Sequence, residues 1–159
     1  MRRAFIALVT VGMLFALVPA AAAAPPAHAG RPEMTPPAHA GRPLSAVLTG
    51  AAEVPGPGDP DGAGTAKLWL NQGQGRICFS LTWKDIATPT AAHIHDGAKG
   101  VAGAVVVTLS TGTPFRSMGC ATGVAKALIK DIRQNPHDYY VNVHNSTYPG
   151  GAIRGQLSK

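Results

Sequence analysis

The chain lacks most of the signatures that mark a common enzyme or a nucleic-acid binder. Its only two cysteines, Cys78 and Cys120, do not form a CxxC pair, which argues against a thiol-redox motif or a zinc ribbon. There is no G-x-S-x-G elbow, no P-loop and no dinucleotide fingerprint, so nothing points to a Ser/His/Asp hydrolase or a nucleotide enzyme. Acidic residues are few, eight against fourteen Lys and Arg, for a formal charge of +6. The basic residues nonetheless form no run. From Lys67 to Lys159 they stand apart and interleave with no aromatic set, so beyond the high pI nothing supports a nucleic-acid surface. A long apolar run occurs only at the N-terminus.

That run reads as an export signal. Arg2 and Arg3 precede an apolar stretch from Ala4 to Val18, and small residues up to Ala24 offer A-x-A cleavage sites. The stretch is shorter than the roughly 20 residues a spanning helix needs. Residues 1–24 are therefore expected to be a cleaved signal peptide. The mature protein is expected to be secreted or periplasmic, with no stable membrane insertion. "RRAFI" resembles a twin-arginine signal, but two arginines do not separate that route from general secretion. Residues 25–43 contain "PPAHAGRP" twice, at Pro25–Pro32 and Pro36–Pro43. Proline, alanine and glycine build no core, so this segment reads as a flexible, partly polyproline linker.

The remaining chain, 44–159, is one domain with a mostly period-two pattern. In "TAKLWLN", Ala66, Leu68 and Leu70 alternate with Thr65, Lys67 and Trp69. In "RICFSLTW", Ile77, Phe79, Leu81 and Trp83 share one face, with Cys78, Ser80 and Thr82 on the other. "AVVVTL", "YYVNVHN" and "GAIRGQL" read as further strands, separated by glycine- and proline-rich turns. Short strands of this kind predict an all-β antiparallel Greek-key sandwich or barrel. One segment breaks the pattern. "TGVAKALIKDIRQNP" places Val124, Leu128, Ile129 and Ile132 on one helical face, with Thr122 as its cap and Pro136 as its end. In an exported chain two cysteines favour a disulfide. Closing a loop of about forty residues would contribute on the order of 3–4 kcal/mol. The alternative is two free buried thiols.

The chemistry concentrates in "AAHIHDGAKG". On a strand, His93 and His95 point the same way and Ile94 the other. If Ile94 faces the core, both imidazoles face outward. In "YVNVHN", Val141 and Val143 point inward, so Asn142 and His144 point out. Asp96 either supports a histidine or starts the turn. The competing reading of the three histidines is that they simply hydrogen-bond the neighbouring "DGAKG" and "STYPGG" turns.

"LTGAAEVPG", "AAHIHDGAKGVAGAVVVTL" and "NPHDYYVNVHNSTYPGGAIRGQL", in that order, resemble the CHRD (chordin-type) domain across Leu44 to Leu157. The resemblance implies a β-sandwich, an extracytoplasmic location and cysteines at positions such as Cys78 and Cys120. It implies no well-established activity for single-domain secreted bacterial members. A fainter resemblance is to copper–zinc superoxide dismutases, which carry H-x-H on one strand, a histidine after paired valines and a late arginine. It implies that His93, His95 and His144 hold copper and that Arg154 lines the approach. No counterpart of the zinc cluster is present. Neutral imidazoles suit copper ahead of zinc in the Irving–Williams order, and three ligands with an open position is also a catalytic layout. The expected function is a secreted metal-binding module, with copper favoured. The alternatives are a copper redox enzyme in which Arg154 acts on the anion, or a metal-free module that binds an extracellular protein.

Overall fold

The computed structural model describes residues 43–159. The expected signal peptide, and the linker apart from its last residue, lie outside the described residues.

Eight strands follow in chain order: β1 (Leu44–Thr49), β2 (Ala63–Asn71), β3 (Arg76–Lys84), β4 (Pro89–Asp96), β5 (Ala104–Thr111), β6 (Met118–Thr122), β7 (Tyr139–Asn145) and β8 (Ile153–Gln156). Among the described residues there is one α-helix, α1 (Lys126–Gln134), which with a 3-10 turn at Pro136–Asp138 separates β6 from β7. All pairings are antiparallel, in the order β5-β4-β7-β8-β1-β2-β3-β6. The sheet curls into a nearly closed barrel. Its two edges are tied by the β5–β6 connection, where Arg116 N donates to Ser110 Oγ at 3.0 Å and Leu81 N to Ser117 O at 2.7 Å. The β3–β4 and β6–β7 links each step over two strands around that barrel, which is the Greek-key feature. The fold is all-β with one short helix, as the patterning predicts.

The interior follows strand alternation. Ala66 and Leu68 of β2, Ile77, Phe79 and Leu81 of β3, Ile94 of β4, Val141 and Val143 of β7 and Ile153 of β8 are all buried in one cluster. Each large aliphatic side chain so buried contributes about 1.5–3 kcal/mol relative to exposure. The helix adds Ile129 and Ile132 to that cluster, with Val124 and Leu128 partly buried against it. Its start differs from expectation. Thr122 belongs to β6, and the residue before the first turn is Ala125, which offers no side-chain cap. The chain is instead fixed there by Val124 N, which donates to Gly75 O at 2.9 Å. Pairing with β3 holds Met118–Thr122 as a strand, although its own sequence is poor in large apolar residues.

The cysteines are bonded. Cys78 and Cys120 lie directly opposite each other on β3 and β6, with Cα atoms 3.8 Å apart. The bridge sits on the outer face, opposite Ile77 and Phe79, and its Cys120 end is exposed.

Candidate metal site on the outer face of the barrel

β4, β7 and β8 lie side by side, and their outward residues form polar rows. His93 pairs with Asn142 and Asn142 with Arg154, while His95 pairs with Tyr140 and Tyr140 with Gln156. His144 stands opposite Ala91, one row further along. The ladder between β4 and β5 shifts register at Ala92/His93 and again at Ile94/His95. Such bulges turn side chains locally, and here they fall on the two histidines.

Pointing out of the barrel does not mean reaching solvent. His95, Asn142 and Arg154 are 8%, 2% and 2% exposed. Connections at both ends of the strands cover the face. His95 Nδ1 meets Gly103 O at 2.9 Å, and Tyr140 Oη accepts from Gly103 N at 3.1 Å. Gly103 must be glycine, because a Cβ there would fall 1.6 Å from Asp96 O. On the other side His144 Nδ1 meets Pro149 O at 3.0 Å.

These bonds fix the protonation pattern. A carbonyl can only accept, so Nδ1 of His95 and of His144 carries the proton, and in a neutral ring Nε2 then presents a lone pair. His93 Nδ1 lies 3.0 Å from His144 Nε2. Nε2 of His95 is buried with no partner. The rings are close, with centroids 4.9 Å apart for His93 and His144, 5.8 Å for His93 and His95 and 6.4 Å for His95 and His144. One ligand-capable nitrogen from each ring lies within 4.8 Å of the others. Burial and the neighbouring rings push the His93 imidazole down to about 4, and burial lowers His144 as well. Both rings are therefore neutral at physiological pH, the form in which imidazole ligates. The turns that compete for these histidines satisfy one nitrogen of His95 and one of His144; His144 Nε2 meets His93 Nδ1, and His95 Nε2 is left without a partner.

The CHRD domain family model matches residues 44–157. The chain belongs to the CHRD domain family. No curated protein and no solved structure matches it. In this CHRD domain the three histidines expected to cluster do cluster, and Ile94, Val141 and Val143 occupy the buried side.

Arg154 occupies a different setting from the open approach expected of it. Its guanidinium carbon lies 3.3 Å from the centroid of the Tyr140 ring, and Nη2 donates to Ala98 O at 3.1 Å. His95 stacks on the same ring, at 4.6 Å and 12°. Tyr140, on the strand between them, thus carries the arginine and His95 on its ring. Asp96 is exposed, and the Gly103 carbonyl takes the supporting role on His95.

Two further residues belong to this face, Tyr140 of β7 and Glu53 from the connection after β1. Glu53 is 7% exposed and lies over Gly151, where a Cβ would come within 2.5 Å of its carboxyl. Burial pushes its carboxyl up to about 7 against the opposing pull of Arg154 and Asn142. Period-two patterning gives each side chain a face, but it carries no signal for a residue in a connection that folds back over that face.

Proposed function

We propose that this CHRD domain is an exported copper-binding module whose ligands are His93, His95 and His144. The observation that carries the reading is the buried, unpartnered Nε2 of His95, on a ring that brings one nitrogen within 4.8 Å of a nitrogen of each of two other imidazoles. A lone pair removed from water without a partner costs free energy, roughly 1–3 kcal/mol, and a metal ion is a partner that would recover it. The donor chemistry fits. Two rings are oriented through Nδ1 by backbone carbonyls, the usual support of metal-bound histidine. Ligands at about 2.1 Å around one ion need nitrogens about 3.4 Å apart. The His93–His144 pair is already at 3.0 Å, so His95 has the furthest to move. Imidazole nitrogen favours copper over zinc in the divalent series. Export is supported by the signal-like N-terminus and by a disulfide of the kind that persists in oxidising compartments. No helix among the described residues is long and apolar enough to cross a membrane.

Bound copper would supply one-electron redox chemistry. His93 and His144 are only half-buried, which leaves one side of the cluster open to a small molecule. That exposure favours turnover of a small oxidant such as superoxide as the second reading. Metal analysis of the mature protein after equilibrium with copper decides the first reading. One equivalent is expected, lost in the His93→Ala/His144→Ala double variant, and substoichiometric uptake by wild type would overturn it. A superoxide assay on the copper-loaded form then separates binder from enzyme.

A further inference from the structure

A fixed cation lies beside the candidate ligands, and nothing so far gives it a task. Arg154 comes from β8 and His95 from β4, the two strands that flank β7. Tyr140 of β7 lies between them. The two stacking distances put the guanidinium at most about 8 Å from the centre of the His95 ring. A phenol ring fills that gap, so the positive field passes through weakly polarisable matter rather than water and is screened less. A guanidinium does not lose its proton in a protein.

The countercharge around this cation is incomplete. Nη1 is buried without a partner, and Nη2 bonds a neutral carbonyl. The carboxyl set against it is Glu53, whose burial holds it to about 7 and leaves it largely protonated below that pH. Asp96, the next residue after His95, is exposed to solvent. Among the described residues the histidine cluster itself includes no carboxylate or thiolate. Three neutral donors beside a cation that Glu53 compensates only in part disfavour each added positive charge on a bound ion.

We propose that Arg154, stacked on Tyr140, biases the histidine trio toward monovalent copper over divalent copper or zinc. The inference rests on the copper reading above and assigns the arginine a tuning role rather than an approach role. The interaction of one unit charge across such a distance, at the effective dielectric of a protein site, is enough for about a tenfold bias.

The test uses the mature protein and competing chelators, with Cu(I) titrated anaerobically, Cu(II) in air, and the reduction potential of the loaded site as a second readout. In Arg154→Gln the ratio of Cu(I) to Cu(II) affinity is expected to fall about tenfold and the potential to drop with it. Arg154→Lys keeps the charge and is expected to retain most of the bias. If Arg154→Gln does not fold, Glu53→Gln at pH 8 provides the converse. Removing the ionised carboxylate leaves the arginine unmatched, and the ratio is expected to rise. An unchanged ratio in both Arg154→Gln and Glu53→Gln overturns the inference and leaves the copper reading standing. So does zinc displacing Cu(I) from the wild type. Failure to bind copper in either oxidation state overturns the copper reading and the inference together.

Discussion

Replacing His95 by alanine separates a ligand from a structural histidine. The metal-free protein loses the Nδ1 bond to Gly103 O, worth about 1 kcal/mol. It also loses the stack on Tyr140, worth about 0.5–1.5 kcal/mol. It sheds the buried Nε2 that has no partner, which returns roughly 1–3 kcal/mol. The terms nearly cancel. The space left by the buried ring adds a cost of roughly 2 kcal/mol, so the metal-free variant is expected to melt lower than wild type by no more than about 8 °C. Copper behaves otherwise. At a free concentration of one hundred times Kd, copper stabilises wild type by about 2.7 kcal/mol, a rise in Tm on the order of 10 °C. Removing a ligand should cost more than the 10–100-fold that a supporting partner costs, so the copper-induced rise disappears in the variant. Differential scanning calorimetry with and without copper reads both quantities. A metal-free variant melting more than about 10 °C below wild type would show that His95 is a core group. A variant retaining the full copper-induced rise would show that it is not a ligand.

Three further outcomes are expected. Acid should weaken the fold through His93 and His144. Their folded pKa values are lowered, so the unfolded chain binds more protons as pH falls below the ordinary histidine value of about 6.5, and stability declines from there toward about 4, where His93 itself titrates. Urea melts between pH 4 and 7 should therefore show stability rising with pH, and the His93→Gln variant should show a shallower slope; an identical slope would sink the assignment. Reduction of Cys78–Cys120, which spans 42 residues, should lower stability by about 3–4 kcal/mol on the chain-entropy account while leaving copper stoichiometry intact, since the bridge joins β3 and β6, away from the histidine strands; loss of copper on reduction would contradict the proposed ligand set. Gly103→Ala forces a Cβ against Asp96 O, displaces the carbonyl that orients His95, and should cost about 10–100-fold in copper affinity by chelator competition; unchanged affinity would mean that the carbonyl does not position the ring.

How much of this was legible in the sequence follows from what alternation encodes. Successive strand residues point to opposite faces, so Ile94, Val141 and Val143 could be assigned inward and His93, His95 and His144 outward, and the structure bears that out. The same rule is silent on what lies beyond the outer face. Asn142 and Arg154 point away from the barrel and are still buried, because the chain around Gly103 and Gly151 and the segment holding Glu53 fold back over them. Strand neighbours were equally hidden. β4 and β7 are about forty residues apart in sequence, and only the Greek-key path makes them adjacent. The helix face was legible from its 3.6 period. Its start was not, because a backbone bond from Val124 to Gly75 replaces the side-chain cap that sequence rules look for.

The distribution of unsatisfied polar atoms carries the last step. A natural domain of this size tolerates a few buried polar groups without partners, and scattered ones carry no meaning. Of the six side-chain atoms in that state among the described residues, four belong to His95, Asn142, Arg154 and Glu53. The first three stand on β4, β7 and β8, and Glu53 lies against Asn142 and Arg154. An apolar residue at any of these positions would remove the unpaired atom, and replacing a buried polar cluster by well-packed apolar groups is often neutral or stabilising. A sequence shaped by stability alone has no reason to gather them on one patch. Their concentration on one patch beside three convergent imidazoles is the pattern that the copper proposal accounts for.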